Sequence, residues 1–213
     1  MAGADWVFEN RTRYRNIEVF FDTDLNGGGN TFGQDYLFQV QKLFPTRKPD
    51  RVYEWCSGPG FIGFSLLATG MCSSLCLADV NPKAVAACRQ TIDHNRLADR
   101  VSLYLSDGLS QIPAAEKWDL VVGNPPHSKT DQVFDWGPTL IYQDIGWALH
   151  RAFYRDVGKF LAPGGTVLIQ ENGDLSRVED FADMIAAGGL TLVASWPSVR
   201  AKPFYYVQAV KRS

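Results

Sequence analysis

The chain has 213 residues, of which 46% are hydrophobic and 21% are charged, values typical of one ordinary globular domain and not of a disordered or fibrous chain. Its formal net charge is −2 and its isoelectric point is about 5.9, so it lacks the global basic field that holds a protein on a phosphate backbone, and nucleic acid is disfavoured as a partner. No apolar run approaches the ~18 residues of a membrane span and residues 1–5 lack the features of a signal peptide, so we expect neither membrane insertion nor secretion.

The four cysteines have neither C-x-x-C spacing nor paired histidines nearby, which argues against zinc, and we predict no metal site. Cys72, Cys76 and Cys88 fall in apolar contexts, where a buried thiol behaves as a small hydrophobic side chain. The pattern favours a reducing, cytoplasmic compartment.

The first 50 residues are predicted to form an extension to a main domain that spans residues 51–213. Within this extension, residues 17–21 are a strand candidate. A glycine-rich segment at 27–34 leads into a predicted helix that includes Tyr36 and Leu43. Such a segment can fold over a ligand as a lid, and a plain linker is an equal alternative.

Residues 51–63, R-V-Y-E-W-C-S-G-P-G-F-I-G, predict a strand, a tight turn and a helix whose first turn approaches a ligand closely. Gly58, Gly60 and Gly63 satisfy G-x-G-x-x-G, and Asp79 follows roughly 20 residues later, so a dinucleotide is one interpretation. A pyrophosphate needs free backbone N–H groups and no nearby carboxylate. Glu54 and Pro59 therefore favour a ligand with an ammonium and a sulfonium group, such as S-adenosylmethionine.

From Arg51 onward strands and helices alternate, which predicts an α/β fold: a Rossmann-like, doubly wound sheet of about seven strands, mostly parallel, with helices on both faces. The last two strands are predicted to form an antiparallel pair at one edge. The strands that follow residue 51 are expected at 74–78, 101–105, 119–123, 166–170, 190–195 and 204–210.

Acidic residues recur at the ends of successive predicted strands. Because the carboxyl ends of parallel strands border one crevice, Asp79 is placed to accept hydrogen bonds from a ribose diol, and Asp107 from an adenine amino group. The 119–123 strand ends in Asn124-Pro125-Pro126-His127, a rigid turn that presents Asn124 at the same edge.

With Glu54, the glycine turn, the two aspartates and N-P-P-H in this order, the chain resembles the class I S-adenosylmethionine-dependent methyltransferases. It is most similar to the N-P-P-aromatic branch, which includes release-factor glutamine methyltransferases, small-domain ribosomal RNA methyltransferases and N6-adenine enzymes. The 27–34 segment is similar to the stretch that closes over cofactor and substrate in that branch. The resemblance implies S-adenosylmethionine as cofactor, bound by Phe32, Gln34, Glu54, Cys56, Gly58, Gly60, Asp79, Val80, Asp107, Gly108 and Asn124.

By the same resemblance Asn124 is the catalytic residue: its side-chain carbonyl and the Pro125 backbone carbonyl would accept hydrogen bonds from an NH2 group. His127 replaces the aromatic residue that stacks on a planar substrate, and an imidazole can stack, donate or take a proton. Trp136, in a long polar segment, is a further substrate-binding candidate. His94 and His150 are expected to be surface or packing residues.

The sequence therefore predicts a transferase that N-methylates a small molecule or a protein side chain. Methylation of a ribosomal or transfer RNA base is the close alternative. An NAD-dependent oxidoreductase explains Asp79 but leaves Glu54, Asp107 and the N-P-P-H motif without a role, and a non-catalytic binding module leaves the complete motif set unexplained.

Overall fold

The structure is a computed structural model that describes residues 6–25, 29–130 and 139–211. Its strands are β1 (Asn10–Tyr14), β2 (Ile17–Phe21), β3 (Arg51–Trp55), β4 (Ser74–Asp79), β5 (Val101–Leu105), β6 (Trp118–Gly123), β7 (Leu161–Asn172), β8 (Leu190–Pro197) and β9 (Phe204–Lys211). Its α-helices are α1 (Gly29–Leu43), α2 (Phe61–Ala68), α3 (Pro82–His94), α4 (Thr139–Tyr142), α5 (Ala148–Val157) and α6 (Glu179–Ala187).

Seven strands form one sheet in the order β5-β4-β3-β6-β7-β9-β8. Strands β3 to β7 run parallel, whereas β9 is antiparallel to both of its neighbours, which confirms the predicted α/β sheet and its antiparallel C-terminal pair. The last strand, β9, inserts between β7 and β8. The chain places β4 and β5 on one side of β3 and then returns to place β6 on the other, so a crevice forms at the carboxyl ends of β3 and β6.

Each face of the sheet has its own apolar core because successive side chains of a strand point to opposite faces. In β3, Val52 packs with α1, α2 and α3, and Tyr53 and Trp55 pack with α5 and α6. Glu54 is two residues after Val52, so its side chain points to the same face of the sheet. The alternation therefore turns its carboxylate toward the start of α2.

The N-terminal residues pack onto this sheet through α2 and α3. Strand β1, which the sequence analysis did not identify, pairs with β2 in a separate antiparallel hairpin. Helix α1 begins at Gly29, so residues 29–34 of the predicted lid are helical, and residues 26–28 lie outside the described ranges. A Cβ at Gly33 would lie 2.8 Å from the carbonyl oxygen of Phe61, so the two helices pack at the distance that glycine allows.

One buried hydroxyl connects α1 to the centre of the sheet. The Tyr36 hydroxyl lies 2.6 Å from the carbonyl oxygen of Gly123 and 3.0 Å from that of Leu168. Both carbonyls belong to neighbouring strands, and Gly123 directly precedes Asn124. Helix α1 thus holds the end of β6 in place.

All four cysteines are free, and Cys72, Cys76 and Cys88 are buried, as predicted. Within the part of the chain that the structure describes, no helix combines the length and the apolar composition that crossing a bilayer requires.

Replacing Tyr36 by Phe tests the link between α1 and the sheet. The substitution leaves two buried carbonyls without this donor, so we expect the free energy of unfolding to fall by about 1–3 kcal/mol in urea denaturation. Tyr104→Phe is the control: it removes a hydroxyl that lies 3.1 Å from Glu116, whose carboxylate also accepts from Arg51 and Trp118, so it should cost about 1 kcal/mol or less. Equal losses of unfolding free energy in the two variants would contradict a stabilising link between Tyr36 and the sheet.

Candidate functional site

A cavity of about 530 Å³ opens at the carboxyl ends of β3, β4 and β6, within the size range of small-molecule sites. Three carboxylates line it, from Glu54, Asp79 and Asp107, and its described lining contains no lysine or arginine. Apolar side chains such as Leu25, Ile62 and Phe204 form much of the remaining wall. The site is therefore built for a ligand that is partly apolar and carries positive charge.

Glu54 lies at the base of this cavity and is almost fully buried. Its carboxylate accepts hydrogen bonds from the backbone N–H groups of Ile62 (3.3 Å) and Gly63 (2.6 Å) in the first turn of α2. A Cβ at Gly63 would lie only 2.7 Å from the Glu54 Oε2, so glycine is required there. Burial raises the pKa of Glu54 to about 8, although the two amide bonds act in the opposite direction.

Asp79, at the end of β4, holds the glycine turn from the other side. Its carboxylate accepts from the N–H of Gly58 (2.7 Å) and of Asn81 (2.9 Å), and burial raises its pKa. The N–H of Gly60 donates to Ser57. The amides at positions 58, 60, 62 and 63 are thus all engaged within the protein and residue 59 is a proline, so this turn offers a pyrophosphate few donors.

The turn itself depends on left-handed backbone conformations. Cys56 has φ of 51°, Gly58 of 51° and Gly60 of 81°. Cys56 is therefore the non-glycine residue in this turn that adopts a conformation which glycine tolerates better. Cys56 and Gly58 line the cavity, whereas Gly60, the N-cap residue of α2, is not among the lining residues.

The other predicted cofactor residues divide into two groups. Val80, Asp107 and Gly108 line the cavity, and Asp107 is exposed. Phe32 and Gln34 do not: Phe32 is buried against the ring of Phe204, and Gln34 is exposed on α1. The first turns of α1 pack on α2 and β9 instead of reaching the cavity.

The N-P-P-H turn forms the end of the cavity that follows β6. Asn124, Pro125, Pro126 and His127 all line it. The Asn124 Oδ1 lies 2.8 Å from the His127 Nε2, so the catalytic candidate and its histidine neighbour are in direct contact. Trp136 lies outside the described residues.

A buried polar network behind His127 was missed by the sequence analysis. Glu171, at the end of β7, contacts His127 on one side and His150 on the other, and His150 in turn contacts Asp144. His150 is thus neither a surface residue nor simple packing. The sequence contained part of the signal for this network, because Glu171 lies at the end of a parallel strand, as Glu54 and Asp79 do.

The comparisons with known proteins agree with this geometry. Residues 38–176 match the methyltransferase small domain family. The release factor glutamine methyltransferase of Cereibacter sphaeroides is 29% identical in an alignment 152 residues long that covers 67% of this chain and 53% of that protein. The ribosomal RNA small subunit methyltransferase C of Shewanella sp. (strain MR-4) is 34% identical in an alignment 128 residues long that covers 58% of this chain and 34% of that protein. The chain therefore spans about half, or less, of the length of these curated relatives.

Among solved structures, the Thermus thermophilus 16S rRNA N2 G1207 methyltransferase, in complex with AdoMet and guanosine, superimposes with a TM-score of 0.63 at 17% identity. The match covers 95% of this chain and 50% of that one. At this identity the likeness shows a shared fold.

The raised pKa of Glu54 predicts a specific pH dependence of stability. Because the folded pKa is about 8 and the unfolded value 4.5, the contribution of Glu54 is full below pH 4.5 and is lost as the pH rises through 8. Between these values the wild type should lose stability relative to Glu54→Gln by on the order of 1.4 kcal/mol per pH unit. Urea denaturation of both proteins from pH 5 to 8.5 measures this difference. A constant difference across that range would contradict the raised pKa.

Proposed function

The chain belongs to the methyltransferase small domain family, and from that premise we propose that it is an S-adenosylmethionine-dependent methyltransferase acting on a nitrogen of a small molecule or of a protein side chain. The observation that carries the proposal is the acid-lined cavity that has the N-P-P-H turn at one end. The ligand must match three carboxylates and the absence of basic side chains from the described lining.

The residues present fit this cofactor. S-adenosylmethionine supplies, when bound, a methyl group on a positively charged sulfur. Burial raises the pKa of both Glu54 and Asp79. A bound ammonium or sulfonium would lower these pKa values again, so that the two carboxylates ionise and balance its charge. Asp79 would accept from the ribose hydroxyls, while Asp107 with Gly108 and Val80 would hold the adenine, since these three line the adjoining wall.

The catalytic assignment rests on Asn124 and Pro125. Both lie at the end of β6, where the rigid N-P-P-H turn and the Tyr36 hydroxyl bond to Gly123 limit their movement. Their oxygens would orient an acceptor nitrogen toward the methyl group. Because such a transfer is an in-line displacement, positioning and exclusion of water can supply much of the acceleration. His127 completes this end of the site, and Trp136 remains a substrate-binding candidate.

The lack of basic residues in the described lining also bears on the acceptor. A nucleic acid substrate brings phosphates that proteins neutralise with lysine and arginine, so a small molecule or a protein side chain is favoured. RNA is the second candidate, because relatives in this family include ribosomal RNA methyltransferases.

The division into an N-terminal extension, residues 1–50, and a methyltransferase domain, residues 51–213, is part of the proposal. The extension contributes Leu25 to the cavity wall and Tyr36 to the support of β6. The four free cysteines favour a reducing compartment such as the cytoplasm.

Calorimetry tests the cofactor. We expect S-adenosylmethionine to bind and NAD to give no heat under the same conditions. Asp79→Asn removes charge where the ribose would lie and should weaken S-adenosylmethionine at least about tenfold, or ~1.4 kcal/mol. Asp50→Asn is the matched control and should leave the affinity unchanged. Asp50 is an exposed acid that directly precedes β3, at the end of the strand away from the cavity. Binding of NAD alone would overturn the proposal.

Replacing Asn124 by Ala separates binding from catalysis. The variant should retain most of its affinity for the cofactor, because the carboxylates are intact, but should transfer the methyl group at least ~100-fold more slowly. The measurement is incorporation of label from methyl-labelled S-adenosylmethionine into small-molecule, protein and RNA fractions of a cell extract. Label confined to RNA would favour the second candidate, and equal transfer by the variant would contradict the role of Asn124.

A further inference from the structure

An unbroken chain of hydrogen bonds runs from the cavity wall into the core. The Asn124 Oδ1 lies 2.8 Å from the His127 Nε2, and the His127 Nδ1 lies 3.2 Å from the Glu171 Oε2. The Glu171 Oε1 lies 2.9 Å from the His150 Nε2, whose Nδ1 lies 2.6 Å from the Asp144 Oδ2. Glu171 and His150 have no exposed surface, and His127 is only 8% exposed.

The inner half of this chain has a defined charge. Burial alone would lower the pKa of His150, but the carboxylates of Glu171 and Asp144 outweigh it and raise the pKa to about 9, so the ring is an imidazolium at neutral pH. Burial would raise the pKa of Glu171, but His150 and His127 outweigh it and the pKa is lowered, so Glu171 is ionised. Asp144 also accepts from the backbone N–H groups of Leu149 and His150.

Among the described residues, four further titratable groups have a pKa that the charge of Glu171 raises, and all four are neutral. Burial raises the pKa of each of them well above its ordinary value; they are the hydroxyls of Tyr36, Tyr154 and Tyr205 and the thiol of Cys56. The ring of Phe204 packs edge-on against His127 and carries no charge. The hydrogen bonding of His127 is therefore governed by Glu171 on one side and Asn124 on the other.

An ionised carboxylate can only accept hydrogen bonds, so the His127 Nδ1 must carry a proton. The state of Nε2 then follows from the charge of the ring. In neutral His127 Nε2 is a bare acceptor, and Asn124 must turn its NH2 group toward it, which leaves Oδ1 facing the cavity. In the imidazolium Nε2 donates to Oδ1, and the NH2 group faces the cavity instead. The 2.8 Å contact between the two side chains fits either state, because exchanging the two ends of the amide leaves its geometry unchanged.

We propose that His127 is a positioning residue that decides which end of the Asn124 amide meets the methyl acceptor, and that Glu171, fixed by His150 and Asp144, holds the His127 ring in the tautomer with Nδ1–H. This inference rests on the proposed function and specifies the acceptor. With neutral His127, the site presents an oxygen and selects a substrate that donates an N–H. With protonated His127 it presents a donor, and transfer to such a substrate stops.

The same logic explains why a histidine stands at this position. A phenylalanine ring could stack on a substrate but has no polar atom, and tyrosine or tryptophan has one polar atom, whereas the two ring nitrogens of histidine can contact Glu171 and Asn124 at once. The buried carboxylate behind the ring performs the orienting task that a carboxylate performs for histidine in other catalytic sites.

Long-range 15N spectra of the histidine rings test the proposal in the protein saturated with S-adenosylhomocysteine. The chain has only three histidines, so single substitutions assign them. Above the pH at which the ring loses its charge, His127 should show a protonated Nδ1 and an unprotonated Nε2. In Glu171→Gln the oxygen of the new amide should accept from His150, and the NH2 group of the same amide should donate to His127. The Nδ1 of His127 should then be unprotonated and its Nε2 protonated, the reverse of the wild type.

Glu18→Gln is the matched control, because Glu18 pairs with the exposed His94 at 3.1 Å on the surface. It should move only the His94 signals. A neutral His127 that carries its proton on Nε2 in the wild type, or the same tautomer in wild type and Glu171→Gln, would overturn the proposal.

A second measurement needs no substitution in the core. In the wild type, the side-chain amide resonances of Asn124 should shift on acidification with the same midpoint pH as the signals of the His127 ring. Asn124 amide resonances that do not change at that pH would overturn the inference. Calorimetry distinguishes this failure from failure of the proposed function. Absence of S-adenosylmethionine binding would refute the proposed methyltransferase activity. The histidine spectra, which are also recorded without ligand, report on the hydrogen-bond chain itself.

Discussion

The carboxylate of Glu54, bonded to the first turn of α2, is the interaction on which the rest of the site depends. It joins β3 to the following helix at the point where the sheet order reverses, and it requires glycine at position 63 because any Cβ there would meet the carboxylate at 2.7 Å. Closing so short a connection forces residues 56, 58 and 60 into left-handed conformations. Together, the Glu54 carboxylate, the glycine at position 63 and the left-handed turn determine the floor of the cavity.

Two groups of acids surround that floor, and they differ in how their charge is balanced. The acids that line the cavity, Glu54 and Asp79, have no cationic partner among the described contacts, and burial raises the pKa of both. They suit a cationic ligand, which would supply the missing charge. Glu171 and Asp144 instead enclose the imidazolium of His150, which balances one of their two negative charges. His127 stands between the two groups.

The sequence predicted those parts of the molecule that depend on local pattern. The strand positions, the parallel order and the acids at strand ends follow from period-two alternation and from a turn whose glycines are close together in the chain. Strand β1 was missed because its exposed arginines resemble a solvated face, although pairing with β2 stabilises it. The helical start of α1 was missed because three glycines indicate a loop. The network of Asp144, His150 and Glu171 joins side chains from separate elements, and only tertiary packing brings them together.

A crystal structure of the protein with S-adenosylhomocysteine would show directly whether the acids at the carboxyl ends of β3, β4 and β5 bind the nucleoside beside Asn124. We expect the ribose hydroxyls on the Asp79 carboxylate, the adenine beside Asp107, and the sulfur directed toward the N-P-P-H turn. A nucleoside bound at another surface, or a cavity that stays empty at saturating ligand, would contradict this expectation.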